Sequence, residues 1–172
     1  MSARLDFIKS KIVSAEEAAR RVAMYQLKNE KVVFTNGCFD ILHLGHITYL
    51  AEASGLGNRL IVGINSDRSV KLLNKAPNRP INDEFARMQV IAALGFVDLV
   101  VLFDDETPFE LIKLLKPDVL VKGGDYDAHD FNPNSKKYIV GSDIVRENGG
   151  LIVTINLVEG YSTTAIIEKS KN

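Results

Sequence analysis

The residues with the greatest chemical capacity fall into three short groups. Asn36-Gly37-Cys38-Phe39-Asp40 runs on into Leu42-His43-Leu44-Gly45-His46. Lys122-Gly123-Gly124-Asp125 follows later, and Glu159-Gly160-Tyr161-Ser162-Thr163-Thr164 lies near the C-terminal end. If a helix starts near Gly45, His43 sits in the turn before it and His46 in its first turn, so both imidazoles can face one space. Helix N-termini present free N–H groups and a positive dipole end, which favour phosphate. Gly37 and Gly45, lacking Cβ, let the backbone approach an anion closely. Two imidazoles donating hydrogen bonds can stabilise charge that grows on a phosphate under attack. Simpler readings stay open. A histidine pair can hold a metal, but zinc needs one or two more ligands, and the only other histidine, His129, lies in an irregular stretch. The pair can also be structural, satisfied by backbone groups. Asp40 is able to bind Mg²⁺, hold a histidine or cap the turn, and composition does not separate these.

The elements that must position these groups follow from the apolar pattern. Short runs rich in Val, Ile and Leu occur at residues 32–35, 60–64, 99–103, 119–121 and 151–155. They hardly alternate, as expected of strands buried on both faces in a parallel sheet covered by helices. Helical patterns intervene at residues 45–54, 83–94, 108–115, 143–148 and 162–170. The order predicts an α/β fold, a doubly wound five-stranded parallel sheet in a single domain. Ser14 and Glu17 have capping-box spacing, and the helix they open would bury Ala18, Val22 and Tyr25. Residues 1–30 are expected to form an N-terminal helical extension, serving as packing or a dimer contact. Residues 66–82 and 125–135 are irregular, and long irregular segments in a compact domain are usually functional or disordered.

In such a sheet, ligands bind beyond the carboxyl ends of the strands, near the switch in strand order. The three groups fall at such ends, and Asn65-Ser66-Asp67 makes a fourth. The 172 residues suit one domain, with 46% hydrophobic and 25% charged residues. A net charge of −1 gives no general attraction to nucleic acid or acidic membranes, yet Lys71, Lys75, Arg79, Arg87 and Lys122 can still form a local basic pocket. Cys38 is the only cysteine, so no intrachain disulfide is expected. Neither a signal peptide nor a membrane-spanning run is visible, which makes the cytoplasm the expected location. The Gly-x-Gly-x-x-Gly spacing of dinucleotide-binding dehydrogenases does not follow the first strand.

Asn36 through His46 resembles the signature of the cytidylyltransferase-like nucleotidyltransferase superfamily, whose hallmark is His-x-Gly-His. The resemblance extends over residues 31–169. It includes Asn65-Ser66-Asp67, Arg79-Pro80-Ile81-Asn82, Lys122-Gly123-Gly124-Asp125-Tyr126, Asn148-Gly149-Gly150 and Glu159-Gly160-Tyr161-Ser162-Thr163-Thr164. It is strongest to the adenylyltransferase domain of bacterial ADP-heptose synthesis. Glycerol-phosphate cytidylyltransferases carry Arg-Thr where this chain has Leu157-Val158, which favours the heptose branch over them.

The resemblance implies a Rossmann-like nucleotidyltransferase domain over residues 31–172. It implies in-line attack by an acceptor phosphate on the α-phosphorus of ATP, with Mg²⁺ arriving with the nucleotide. No protein side chains are expected as metal ligands and no tightly bound organic cofactor. His43, His46 and Lys122 would be catalytic. Asn36, Gly37, Cys38, Phe39, Asp40, Gly45, Lys75, Gly124, Asp125, Ser162, Thr163 and Thr164 would join the histidines in binding nucleotide. Asn65, Arg79, Arg87 and Lys122 would bind the sugar phosphate. Cys38 is not expected to be a nucleophile, because no step needs one. ATP and a sugar phosphate are the expected partners, without nucleic acid or membrane. A homo-oligomer is compatible with the family. The sugar kinase, often fused ahead of this domain in relatives, is expected as a separate protein, with a phosphatase also upstream.

Overall fold

Alternating strands and helices set the architecture of the computed structural model, which describes residues 2–73 and 79–169. In chain order the elements are α1 (Ala3–Ser10), β1 (Ile12–Val13), α2 (Ala15–Leu27), β2 (Val32–Gly37), α3 (Leu44–Ser54), β3 (Arg59–Asn65) and α4 (Asp67–Leu72). There follow α5 (Glu84–Ala92), β4 (Leu99–Phe103), α6 (Phe109–Leu115), β5 (Val119–Gly123), α7 (Ser142–Glu147), β6 (Leu151–Ile155) and α8 (Thr163–Lys169). All strand pairs are parallel and the order across the sheet is β1-β4-β3-β2-β5-β6.

The sheet therefore has six strands where the apolar runs indicate five. The extra one, β1, pairs Ile12 with Val100 and Val13 with Val101 at the edge. Two residues are too few to register as an apolar run. Residues 1–30 thus hold more than a leading helix. α2 buries Ala18 and Val22 in the same apolar layer as Leu111, Ile112 and Leu115 of α6, while Tyr25 is only partly covered. The Ser14 hydroxyl caps α2 by accepting from the Glu17 amide at 3.2 Å, which satisfies one of the orphan N–H groups of the first turn.

Alternation along the strands splits the core in two. Val33, Val62, Ile64, Val100, Val119 and Val121 face α3 and α5, through Leu50, Ala53, Met88 and Ile91. Val32, Phe34, Ile61, Leu99, Val101 and Leu120 face α2, α6 and α7, through Val22, Ile112 and Val145. Covering both faces with helices is what makes near-continuous apolar strands stable. The irregular stretch after Asn65 contains α4, whose N-cap Ser66 accepts from the Ser69 amide at 3.0 Å. Among the described residues no helix is long and apolar enough to cross a membrane.

The site follows from the strand order. The chain runs from β2 outward to β3 and β4, then crosses back to place β5 on the other side of β2. The β2–β5 ladder pairs Val33 with Val119 and Phe34 with Leu120, short of Gly37 and Gly123 where the strands end. A crevice opens beyond that point, as expected at a topological switch.

Candidate active site

A cleft of about 570 Å³ occupies this crevice. Its floor comes from the ends of β2 and β5. The Lys122 ammonium donates to Asn36 Oδ1 at 2.5 Å, bridging the switch point. It also lies 5.5 Å from the centre of the Tyr126 ring, within reach of a cation–π contact. Lys122 is only 9% exposed, so its stem is packed and its charge is aimed. Burial and the neighbouring Asp125 push the Tyr126 hydroxyl pKa above its ordinary value. Tyr49, from α3, hydrogen-bonds Thr35 at 2.6 Å beneath the cleft.

The wall is the turn from β2 into α3. Phe39 takes a left-handed φ of 47°, uncommon for a large side chain and stable only where packing fixes it. Its buried ring meets His46 edge-on at 5.2 Å. His43 is the N-cap of α3, with no hydrogen bond from its side chain to the helix amides. Its ring stacks on that of His46, centroids 3.7 Å apart and planes 23° from parallel. Nδ1 of His43 is buried without a hydrogen-bond partner among the described residues. Burial lowers the His43 pKa, which favours the neutral ring. Gly45 leaves room for the ring, since a Cβ there would come within 3.2 Å of the His43 ring and 3.4 Å of Tyr161 Cβ, a tight fit. That contact brings the α3 N-terminus beside the approach to α8.

The opposite wall carries the hydroxyls. Ser162 Oγ caps α8 by accepting from the Ala165 amide at 3.1 Å, leaving its own proton to donate. Thr163 is buried and Thr164 exposed, and all three line the cleft with Leu157, Val158 and Tyr161. Two helix N-termini thus open on one space, an arrangement suited to a polyanion.

Of the residues expected to form the site, Asn36, Gly37, Cys38, Phe39, His43, Gly45, His46, Asn65, Arg79, Lys122, Asp125, Ser162, Thr163 and Thr164 line this one cleft. Four do not belong to that group. Lys75 lies outside the described residues. Gly124 packs behind the cleft, where an added Cβ would come 2.9 Å from Asn156 Oδ1; its lack of a side chain serves packing against the loop after β6. Asp40 is not a cleft residue either. Its carboxylate is fully buried and accepts from Arg79 Nε at 3.0 Å and from the Ile81 and Asn82 amides at 2.9 Å, so it anchors the 79–82 segment.

Arg87 lies apart from the cleft lining. It is 1% exposed and its guanidinium is spent internally. It donates to the carbonyls of Asn82, Cys38 and Asn65 at 3.1, 2.7 and 2.7 Å, and to Asp67 Oδ1 at 2.8 Å. A group so engaged has little left for a sugar phosphate. It ties together the ends of β2 and β3 from below. Arg79, by contrast, engages Asp40 through Nε and faces the cleft with its side chain 12% exposed.

Sequence reasoning missed Tyr49, Glu106, Thr107, Pro108 and Val140 as cleft residues. Glu106 to Pro108 follow β4, so the strand-end rule that picked out the other groups reaches them too. Tyr49 and Val140 carry no comparable signal.

Known proteins place this geometry in context. A sequence profile of the family described as cytidylyltransferase-like matches residues 34–169. Proteins named bifunctional protein HldE are similar over almost the whole chain. That of Campylobacter jejuni is 52% identical over 169 residues, covering 98% of this chain and 33% of the relative. That of Gluconobacter oxydans is 50% identical over 156 residues, covering 91% and 31%. The chain spans about a third of the length of these relatives. Among solved structures, the lipopolysaccharide core biosynthesis protein of Thermoplasma volcanium is 27% identical with a TM-score of 0.57, covering 77% of this chain and 99% of that one. The pantoate-beta-alanine ligase of Francisella tularensis, 15% identical with a TM-score of 0.58 over 93% of this chain and 76% of its own, shares the fold.

Proposed function

The chain belongs to the cytidylyltransferase-like family and is a nucleotidyltransferase, and we propose that it transfers AMP from ATP to a heptose 1-phosphate. ADP-heptose and pyrophosphate would be the products, supplying lipopolysaccharide core synthesis. The observation that carries this reading is the convergence of His43, His46, Lys122 and Ser162–Thr164 on one cleft at the switch point. Similarity to the HldE proteins and to a lipopolysaccharide core biosynthesis protein supports the heptose acceptor. So does the apolar pair Leu157-Val158 in place of Arg-Thr.

In this mechanism a phosphate oxygen of the acceptor attacks the α-phosphorus in line. A new P–O bond forms as the bridge to the β-phosphorus breaks, and pyrophosphate leaves with no covalent enzyme intermediate. The protein contributes position and charge, which is most of what phosphoryl chemistry asks of it. The N-terminal amides of α3 and α8 and the Ser162–Thr164 hydroxyls hold the leaving phosphates. His43 and His46 donate to oxygens that gain charge in the transition state. Lys122, pre-aimed by Asn36 and Tyr126, sits where nucleotide and acceptor meet.

Mg²⁺ fits as a companion of the nucleotide. Among the described residues no three metal-ligating side chains converge, and Mg²⁺ commonly takes its oxygens from phosphates and water with one or two carboxylates. Asp125 is a cleft carboxylate suited to that contact. The ion would neutralise phosphate charge. The reaction would take place in the cytoplasm, and a homo-oligomer is compatible with it.

The test is pyrophosphate release by the purified chain with ATP or CTP against both anomers of heptose 1-phosphate, glycerol 3-phosphate and ethanolamine phosphate. ATP with one heptose anomer should exceed every other pair by at least tenfold. Preference for CTP with glycerol 3-phosphate would overturn the reading.

A further inference from the structure

Part of the cleft lining takes no part in the phosphate chemistry. Lys122 reaches the cleft from β5, and Ser162–Thr164 reach it from the segment after β6. Glu106 and Thr107 line the cleft from the loop after β4, two strands from β2 in the other direction. At about 4.8 Å per strand the end of β4 stands roughly 10 Å across the sheet from the end of β2.

This loop is held in place. Ser66 donates its hydroxyl to Asp104, which also pairs with Arg68. Ser69 Oγ donates to the Asp105 carbonyl at 2.7 Å and receives Asn65 Nδ2 at 2.9 Å. The Ser66 amide donates to the Phe103 carbonyl at 2.8 Å. The first turn of α4 therefore fixes the backbone that presents Glu106 and Thr107. Neither side chain makes a hydrogen bond or ion pair of its own among the described residues.

Glu106 lines the cleft and is exposed to solvent, so its carboxylate is available to accept from a bound ligand. Neutral hydroxyl groups of an acceptor are suitable donors, and a carboxylate takes them strongly. Arg79 lines the same cleft and offers a cation for phosphate. We propose that Glu106, assisted by Thr107, reads the hydroxyl groups of a polyhydroxylated acceptor and sets specificity for sugar phosphates. The proposal rests on the acceptor assignment made above and names the residues that would enforce it.

Glu106→Gln and Thr107→Val are compared with the wild-type chain by steady-state pyrophosphate release, varying heptose 1-phosphate, ATP and Mg²⁺ separately. Glu106 is exposed, so the variants should fold, and thermal melting checks this. Loss of a charge-assisted hydrogen bond predicts an acceptor KM raised about 10- to 100-fold in Glu106→Gln, and several-fold in Thr107→Val. The KM for ATP, the Mg²⁺ midpoint and kcat should stay within about threefold of wild type. An unchanged acceptor KM, or a shift in ATP KM or Mg²⁺ midpoint instead, would overturn the role of Glu106. A wild-type chain inactive with every sugar 1-phosphate would sink the acceptor assignment itself, a result visible before any variant is made.

Discussion

Replacing Arg87 by methionine keeps the length of the side chain and removes its donors. The carbonyls of Cys38 and Asn65, both buried, lose bonds of 2.7 Å, and Asp67 loses its 2.8 Å partner. A buried carbonyl left without a donor costs about 1–3 kcal/mol, so two of them and a half-exposed ion pair give roughly 3–5 kcal/mol. That is a large part of the 5–15 kcal/mol typical of a domain. At roughly 2–4 °C per kcal/mol for a chain of this size, Tm should fall on the order of 10 °C. Thermal melting followed by circular dichroism measures this, and urea unfolding should show a lower midpoint at unchanged slope. Arg87→Lys, keeping the charge and part of the bonding, should fall between. A variant that melts within 2 °C of wild type yet has a steeply raised acceptor KM would refute the reasoning, because the guanidinium would then act on ligand.

Three further outcomes follow from the cleft. His46→Ala should lower kcat about 10²–10⁴-fold with little change in Tm, as removal of a transition-state donor does; a near-normal rate would exclude the role. Lys122→Ala should lose activity far more than stability, measured as kcat against melting temperature; a collapsed Tm with normal activity in the folded fraction would make it structural. His43, its pKa lowered by burial, binds protons less readily folded than unfolded. Stability should therefore be complete above the unfolded value of about 6.5 and decline as pH falls below it toward the lowered folded value. Melting of wild type and His43→Gln between pH 5 and 8 should show that decline weakened in the variant, and parallel curves would remove His43 as its source.

The central strands and their helices were legible because buried parallel strands leave apolar runs, and the polar groups at four strand ends stand out where those runs stop; the structure brings members of all four to one cleft. β1 was not legible, since Ile12-Val13 gains its identity from pairing with Val100 and Val101, residues far away in sequence. The burial of Arg87 was not legible because an arginine on a helix shows its charge in sequence and not its surroundings. The carbonyls that consume it belong to β2, β3 and the turn before α5. Asp40 hid in the same way, through bonds to residues some forty positions on. Glu106 and Thr107 were within reach of the strand-end rule and went unnoticed beside the richer polar groups.

The short ladder between β2 and β5 has a mechanical consequence. Two paired positions join the four-stranded part of the sheet to the β5–β6 part, where β2 and β3 share six and β5 and β6 share five. Apart from the two-residue edge strand β1, the sheet is thus least stitched along the line where the cleft lies. α3 already bridges this seam by packing on β2, β3 and β6, and a nucleotide touching both α3 and α8 would add a further clasp there, so that occupancy tightens the sheet where its ladder is short.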